Sequence, residues 1–232
     1  MRRLLMFCIN CGLRLSIKDK YCRWCGPVKG CRTPFGKSIF GERVTRKDWD
    51  KQSTSATESI LSLKDIQQGD NIPLGKINRE KIYWRVLQVE DDKALIFSIT
   101  PVCIMPYHIP GGPITWSECT LREWLNSVFI NRFFNKEERS RMIQTTVINE
   151  DNPDYHTPGG PPTTDTAFLL SRKEFHLVPK IGYMDDGPTW WLRTPGNKPQ
   201  YAQLINHEGF IYPGTDVDCR LSVCPAMWIK IT

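Results

Sequence analysis

The sequence predicts an α+β protein: a small N-terminal zinc ribbon made of β-hairpin knuckles, joined to a mixed, mainly antiparallel α+β domain. Two Cys-x-x-Cys pairs lie near the N-terminus, strand-like segments occur at both ends of the remaining chain, and amphipathic helical segments lie between them. We therefore divide the chain into a ribbon over residues 1–26, a basic, flexible linker over 27–65, and an α+β domain over 66–232.

The ribbon prediction depends on the spacing of four cysteines, Cys8, Cys11, Cys22 and Cys25, with glycine directly after each pair. A Cys-x-x-Cys turn brings both sulfur atoms to about 2.3 Å from one ion, and two such turns complete a tetrahedral four-thiolate site. Alternating apolar residues over 13–20 indicate a short hairpin between the pairs. Because four sulfurs leave no open position for water, we expect a structural Zn²⁺ ion.

The alternative for these cysteines is a disulfide or simple burial, as in a secreted scaffold. The apolar segment Leu4–Phe7 is too short for the core of an export signal, and nine cysteines is an odd number. The sequence also lacks a run of about 18 apolar residues that would cross a membrane. We therefore expect a reducing, cytoplasmic location and no membrane partner.

Positive charge is concentrated at the N-terminal end. Residues 1–51 contain 13 Lys and Arg against 4 Asp and Glu, a net charge of +9, whereas residues 52–232 contain 18 against 21, a net charge of −3. Such a basic segment suits an anionic partner, nucleic acid or an acidic protein face. A solvated surface on a small module would have the same composition, so both interpretations stay open.

The strands of the α+β domain are predicted from runs of β-branched and aromatic residues separated by polar turns. The predicted strands are 82–89, 94–99, 167–170, 189–193, 201–205, 210–212 and 221–231. The first two form a hairpin across a polar turn. Pro225 favours an edge position or a bulge for the last strand, because proline lacks the amide hydrogen that a strand ladder needs.

Helices are predicted between these strands. Apolar residues recur at helical spacing over 118–129, with Ser117 or Thr120 as the N-cap. Asn135–Glu138 has the sequence of a capping box and predicts a second, short helix, and Ser171–Glu174 repeats that signature. The sum of these segments is an α+β domain with antiparallel strands at both ends.

A loop over 149–166 contains four prolines and two glycines and is expected to lack regular structure. His156 lies in this loop, and His108 lies in another segment rich in glycine and proline. A metal or acid–base site in these two segments is left open, although the spacing of the residues identifies no nucleophile and no base. The acidic residues available to such a site are Asp151, Asp154 and Asp165.

Adjacent tryptophans mark the candidate recognition site. Because neighbouring residues of a strand face opposite ways, we expect one of the two to reach a surface or a cleft. Aromatic residues beside an arginine suit recognition of a peptide, a sugar or a base, with core packing as the alternative. The predicted ligand-binding residues are Trp190, Trp191, Arg193, Tyr201 and His207.

Four short motifs lie in the α+β domain: YWRVL at 83–87, TWSECTLREWLN at 115–126, DTAFLLS at 165–171 and WWLRTPG at 190–196. Over about residues 66–232 they resemble a family of bacterial and phage domains whose members often carry an N-terminal zinc ribbon. No activity is assigned to that family, so the resemblance implies a domain of unknown function and leaves the ligand open.

The C-terminal strands carry a second similarity. A double tryptophan at the end of a strand, a small-residue turn, an alanine-bearing strand, a glycine turn and a closing strand are similar to the C-terminal half of C-type-lectin-like domains. That group includes formylglycine-generating enzymes and variable ligand-binding proteins of bacterial retroelements, and the similarity implies a lectin-like fold. The closing strand departs from it, because Cys224 stands where those proteins tend to have arginine.

Cys219 and Cys224 have the spacing of the copper-binding pair of the formylglycine-generating enzymes. On one extended strand, however, they would lie about 17 Å apart and face opposite sides. The favoured function is therefore a non-enzymatic binding or adaptor protein with an unknown protein or small-ligand partner. The alternatives are an oxidase-like or hydrolytic enzyme that uses these cysteines or the histidine loops, and a nucleic-acid-binding protein that uses the basic ribbon segment.

Overall fold

The computed structural model describes residues 63–77, 79–179 and 188–232, together with four two-residue strands near the N-terminus. These strands are β1 (Met6–Phe7), β2 (Arg14–Leu15), β3 (Tyr21–Cys22) and β4 (Gly26–Pro27). β1 pairs with β2 and β3 pairs with β4, both in antiparallel fashion. The predicted zinc ligands Cys8, Cys11 and Cys25, and most of the predicted linker, lie outside the described residues.

The strands of the main domain follow the chain from Asn71 to Lys230. They are β5 (Asn71–Ile77), β6 (Glu80–Glu90), β7 (Lys93–Ser98), β8 (Cys103–Met105), β9 (Met142–Ile143), β10 (Thr145–Val147), β11 (Thr163–Asp165), β12 (Phe168–Leu169), β13 (Trp190–Pro195), β14 (Tyr201–Ile205), β15 (Ile211–Asp216), β16 (Leu221–Val223) and β17 (Pro225–Lys230). The predicted hairpin is confirmed as β6 and β7.

Within the described residues these strands form two sheets and one separate pair, β10–β11. The six-stranded sheet has the order β12-β17-β7-β6-β5, and β9 also pairs with β17; all of its neighbours are antiparallel. The five-stranded sheet has the order β15-β14-β13-β16-β8, in which only β13 and β16 are parallel. The predicted class, mixed α+β with mostly antiparallel sheets, is confirmed at this level.

The predicted last strand is two strands in different sheets. The chain leaves the five-stranded sheet after Val223, passes through Cys224, and enters the six-stranded sheet at Pro225. The expected edge position of Pro225 is wrong, because β17 is paired with β7 on one side and with β12 on the other. The proline is tolerated because it is the first residue of its strand.

The two faces of the six-stranded sheet are covered by different elements. Phe97 packs against Trp190 of the five-stranded sheet, with ring centroids 5.2 Å apart. Trp84 faces the other way and packs against Phe134, with ring centroids 6.2 Å apart, and its indole N–H donates to the carbonyl oxygen of Leu74 at 2.8 Å. Burial of such large aromatic groups is the main source of stabilisation in this domain.

The principal helix is composite. It consists of α1 (Thr120–Trp124), a π-helical turn (Leu125–Phe129) and α2 (Ile130–Phe133). The prediction of a helix is confirmed, but its N-cap is Cys119, whose sulfur accepts from the backbone N–H of Arg122 at 3.4 Å. Neither expected residue is the cap, because Ser117 lies in a 3-10 turn, Trp116–Glu118, and Thr120 is already the first residue of the helix.

The two predicted capping boxes open different elements. Asn135 and Glu138 form both reciprocal bonds of the box and open α3 (Lys136–Ser140). Ser171 and Glu174 form the same two bonds, yet only a 3-10 turn, Glu174–Leu177, follows.

The predicted irregular loop over 149–166 is too long at its C-terminal end. β11 lies inside this range and pairs with β10. None of the described helices has the length and apolar content of a membrane-spanning helix.

Candidate recognition surface

Three irregular segments meet beside the end of β13. We call them together the loop surface: residues 106–115, 148–162 and 196–200. The backbone N–H of Ile114 donates to the carbonyl oxygen of Pro199 at 3.1 Å, which joins the first segment to the third. Gly160 lies so close to Thr115 that a Cβ at Gly160 would be 2.6 Å from the threonine hydroxyl, which joins the second segment to the first.

Buried amide side chains fix the longest of these segments. Asn152 is fully buried, and its Nδ2 donates to the carbonyl oxygen of Pro195 at 2.7 Å, while its Oδ1 accepts from the backbone N–H of Asp154 at 2.9 Å. Nδ2 of Asn149 donates to the carbonyl oxygen of Pro161 at 2.7 Å. Because buried hydrogen bonds of this kind hold backbone in one geometry, residues 149–162 have a defined shape despite their glycines and prolines.

Ion pairs connect the same segment to the chain before the 3-10 turn Glu174–Leu177. Arg172 pairs with Asp154, and Lys173 pairs with Glu150 at 3.2 Å. Both pairs are well exposed to solvent, so each contributes less than about 1 kcal/mol to stability. Their effect is mainly to position the charged rim of the loop surface.

Arg193 is part of the scaffold. Its guanidinium donates to the carbonyl oxygens of Leu169 at 2.8 Å and Ile148 at 3.1 Å, and it forms a bidentate ion pair with Glu174. The side chain is 5% exposed. The structure therefore places this predicted ligand-binding residue under the loop surface, where it anchors Ile148.

The expectation that Trp190 or Trp191 reaches a surface or a cleft is wrong. Both side chains are 0% exposed. Trp190 packs between Phe97 and Phe175, whereas Trp191 packs against Tyr107 and donates its indole N–H to the carbonyl oxygen of Met105 at 3.0 Å. Because neighbouring side chains of a strand alternate, the two rings lie on opposite faces of β13, as expected. Both faces, however, are covered.

Tyr201 and His207 are accessible but far apart. Tyr201 begins β14 and is half-buried, with the Lys198 ammonium 5.2 Å from its ring centre. His207 is exposed in the turn that follows the other end of β14. Six residues of extended chain span about 20 Å, so these two side chains do not share one small-ligand site. Of the predicted set, Tyr201 is the one beside the loop surface.

Sequence reasoning missed two exposed apolar residues of this region. Ile148 is 53% exposed and Tyr155 is 47% exposed. His156 follows Tyr155 and has φ +55°, a left-handed conformation that non-glycine residues seldom adopt. No periodicity marks these positions, and the one readable signal was a tyrosine–histidine pair inside a loop rich in proline and glycine.

Asp165 and His108, two of the residues at which a metal or acid–base site was left open, are engaged in structural hydrogen bonds. Asp165 is fully buried and accepts from the Trp116 indole at 2.9 Å, the Thr163 hydroxyl at 2.7 Å and Arg122 Nε at 2.7 Å. His108 Nδ1 accepts from the backbone N–H of Thr120 at 3.3 Å. Burial lowers the pKa of His108, against an opposing effect of Glu118. In the described part of the chain, no group of three His, Cys, Asp or Glu side chains is arranged to hold a metal ion.

The thiols of the copper-like pair are in unlike environments. Cys224 is buried where the chain changes sheets, and burial raises the pKa of its thiol well above the ordinary value. Cys219 is half-buried and lies within 3.6 Å of the Thr215 hydroxyl, which donates to it. Copper binding and nucleophilic attack both need a thiolate, so the environment of Cys224 opposes that chemistry.

Two of the sequence motifs bind each other. Oδ1 of Asn126 accepts from the backbone N–H groups of Thr166 at 2.7 Å and Ala167 at 3.1 Å, and its Nδ2 donates to the carbonyl oxygen of Ala167 at 2.8 Å. Arg122, one helical turn earlier, forms the ion pair with Asp165. The helix motif and the DTAFLLS motif therefore form one structural joint between helix and sheet.

A family model matches residues 91–231, more than half of the chain, and its description is domain of unknown function DUF6273. The chain belongs to this family. The DUF6273 match begins at the turn between β6 and β7, so β5, β6 and the YWRVL motif precede it, although both strands belong to the six-stranded sheet. No curated protein and no solved structure matches the chain.

Proposed function

We propose that this chain is a non-enzymatic binding or adaptor protein, acting in a reducing, cytoplasmic compartment. Its α+β domain, for which we keep the boundaries 66–232 and a C-type-lectin-like character, recognises a protein or a small ligand through the loop surface. The observation that carries this proposal is the loop surface itself. Buried groups such as Asn152 and Arg193 hold it in one shape, while Ile148 and Tyr155 stay exposed.

A surface of this kind favours binding on entropic grounds. A loop that is ordered before its ligand arrives loses less conformational freedom on association than a flexible loop does. Exposed aliphatic and aromatic groups beside paired charges supply the apolar centre and polar rim typical of recognition surfaces. The burial of Cys224, which raises the pKa of its thiol, supports binding over the alternative of a formylglycine-generating-like oxidase.

The test substitutes the exposed pair and compares co-purified material. We expect Ile148→Asp and Tyr155→Ala to release proteins or small molecules that co-purify with the full-length chain, because both remove apolar contact area from the loop surface. Tyr212→Ala is the matched control, since Tyr212 is 53% exposed on β15. A partner released equally by all three variants, or by none, would reject the loop surface as the binding site.

The proposal also includes a structural four-cysteine zinc site formed by Cys8, Cys11, Cys22 and Cys25. Support comes from the short strands, because β1 and β2 bracket the first cysteine pair in sequence, while β3 ends at Cys22 and β4 begins directly after Cys25. Zinc knuckles place their ligands at such chain reversals. Small modules of this size need a metal or a disulfide to fold stably.

Metal analysis of the purified chain tests the zinc site. We expect close to one zinc ion per chain, and Cys8→Ser should lower that content and the order of the N-terminal residues in amide hydrogen exchange. Cys103→Ser is the control, because Cys103 lies in β8 of the main domain. A protein that contains no zinc, or an unchanged metal content in Cys8→Ser, would reject the site.

The second candidate function is nucleic-acid binding through the N-terminal segment, favoured by its net charge of +9 over residues 1–51. Phosphate contacts release counterions, so binding should weaken steeply as salt rises. Titration of DNA and RNA at several salt concentrations measures this slope. A complex that is insensitive to salt would reject the second candidate.

A further inference from the structure

One face of β5 and β6 carries positive charge around an aromatic ring. On β6, Lys81, Tyr83 and Arg85 are two residues apart and therefore lie on the same face. The strand register places Lys76 of β5 opposite Lys81, and Pro73 opposite Tyr83. Both lysines are exposed, and Tyr83 is 49% exposed. We call these five residues the β5–β6 face.

This face is open because the covering sheet ends before it. Phe97 of β7 lies opposite Arg85 on the same face and is buried against Trp190 of the five-stranded sheet. Beyond β7, the ring of Tyr83 meets solvent. Among the described residues β5 is the last strand of the six-stranded sheet, so nothing described continues the sheet past it.

The local charge is one-sided. From residue 71 to residue 85 the chain has four basic residues and one acidic residue, Glu80. Nη1 of Arg85 donates to the carbonyl oxygen of Gly69 at 2.6 Å, which holds its guanidinium near the start of β5. An anionic partner is therefore favoured, and a second copy of this face would meet like charge.

A hollow of about 340 Å³ opens beside the same face. It is lined by Ile77 of β5, by Glu80, Lys81 and Ile82 of β6, and by the segment Thr100–Val102 that follows β7. Its volume is in the range of small-ligand sites. The face thus combines positive charge and an exposed aromatic ring with an adjacent open recess, whose lining also includes Glu80.

We propose that the β5–β6 face binds single-stranded nucleic acid. Tyr83 stacks on a base, and Lys76, Lys81 and Arg85 contact the phosphates on either side of it. Lys81 and Arg85 lie about 13 Å apart along the strand, which allows contacts to phosphates that flank a stacked base. Positive charge that follows a backbone, interleaved with aromatic rings, is the usual design of single-strand binding surfaces.

An acidic protein face is the competing partner. It would satisfy the lysines and the arginine, whereas a single-stranded nucleic acid would in addition stack a base on the exposed ring of Tyr83. The basic segment over residues 1–51 precedes β5 in the chain and adds charge of the same sign. This inference goes beyond the loop surface and uses different residues, so each can fail without the other.

The test measures fluorescence anisotropy of a labelled 20-nucleotide oligothymidylate with the full-length protein at several salt concentrations. We expect Lys81→Glu to weaken binding at least tenfold and to reduce the slope of log affinity against log salt by about 1. Tyr83→Ala should weaken binding at least fivefold, whereas Tyr83→Trp should retain it, because a base stacks on any aromatic ring.

Matched controls keep the test specific. Tyr212→Ala and Lys230→Glu alter exposed residues of β15 and β17 and should bind as the unmodified protein does. Because the N-terminal segment is unchanged in every variant, a selective loss is due to the β5–β6 face. All substituted side chains are exposed, and circular dichroism melting curves check that folding is retained.

Several results would overturn the proposal. These are an oligonucleotide affinity that is undetectable in the unmodified protein, equal affinities in Lys81→Glu, Tyr83→Ala and the controls, or equally tight binding of duplex DNA or polyglutamate. Loss of self-association in Lys81→Glu, measured by sedimentation, would likewise replace nucleic acid with a second copy of the chain as the partner.

Discussion

Two strands of this domain each place aromatic residues next to an arginine, but their surroundings are opposite. β13 begins Trp190-Trp191-Leu192-Arg193, and the centre of β6 reads Tyr83-Trp84-Arg85. In β13 both tryptophans and the arginine are buried, whereas in β6 only Trp84 is buried, and its two neighbours reach the solvent. An aromatic–arginine strand therefore does not indicate a recognition site until its position in the sheet is known.

The difference arises from the neighbours of each strand. β13 lies in the middle of its sheet, with Phe97 over one face and Tyr107 over the other. β6 lies next to the last described strand of its sheet, where the covering sheet no longer reaches. Burial is thus decided by tertiary packing, which strand propensity and alternation do not encode.

Among the substitutions that test this comparison, Trp191→Ala should have the largest effect on the free energy of unfolding. Removal of a fully buried indole should lower the free energy of unfolding by about 3–5 kcal/mol, because it leaves a cavity beside Tyr107. Urea denaturation followed by circular dichroism measures the change. Trp191→Phe is the matched variant and should lose less. A loss below about 1 kcal/mol in Trp191→Ala would mean that this face of β13 is open after all.

The two arginines give the next largest contrast. Arg193→Leu should lower the free energy of unfolding by about 3 kcal/mol, because Glu174 and the carbonyl oxygen of Ile148 lose a buried partner. Arg85→Leu, on the open face, should change it by less than about 1 kcal/mol. Urea titrations of both variants make the comparison, and equal losses would contradict the assignment of Arg193 to the scaffold.

Much of the fold was readable from local patterns. The hairpin of β6 and β7, the helix that begins at Thr120 and the capping box at Asn135 follow from alternation, helical spacing and side-chain capping, all of which act over a few residues. The misplaced details depend on distant contacts. Whether the chain changes sheets at Cys224 is decided by β7 and β12, which lie far from it in sequence.

The candidate site was less readable than the fold. The sequence drew attention to large aromatic residues, and the domain uses those at Trp190 and Trp191 to build its core. The exposed residues of the loop surface, Ile148 and Tyr155, occupy positions without periodicity. The segment that presents them is held by side chains such as Asn152, whose Nδ2 donates to the carbonyl oxygen of Pro195, 43 residues away in the sequence.

An effect of intermediate size is expected at alkaline pH, where the thiol of Cys119 changes the free energy of unfolding. Burial raises the pKa of its thiol to about 12, from an ordinary value of about 9. Above pH 9 the unfolded chain releases this proton and the folded chain retains it, so stability is complete below pH 9 and is lost as the pH rises towards 12. The free energy of unfolding should fall by about 1 kcal/mol from this group by pH 10.

Cys119→Ser isolates that contribution, because serine also caps helices and does not titrate in this range. Urea denaturation between pH 7 and pH 10 should give a shallower decline for the variant than for the unmodified protein. Parallel declines would show that Cys119 is not buried as a thiol, and the core between the helix and the five-stranded sheet would then be more open than described.

The smallest expected effect concerns Tyr83, and it is the one that separates the two strands most clearly. Tyr83→Ala removes an aromatic ring of the same class as those of β13, but a half-exposed ring contributes little burial, so the free energy of unfolding should change by about 0.5 kcal/mol or less. A urea titration measures this beside Trp191→Ala. If Tyr83→Ala proved as destabilising as the tryptophan variant, the β5–β6 face would be covered in the folded chain and unable to serve as a binding surface. A small effect would mean that the ring contributes little to folding and is free to stack on a base, as the proposed nucleic-acid contact requires.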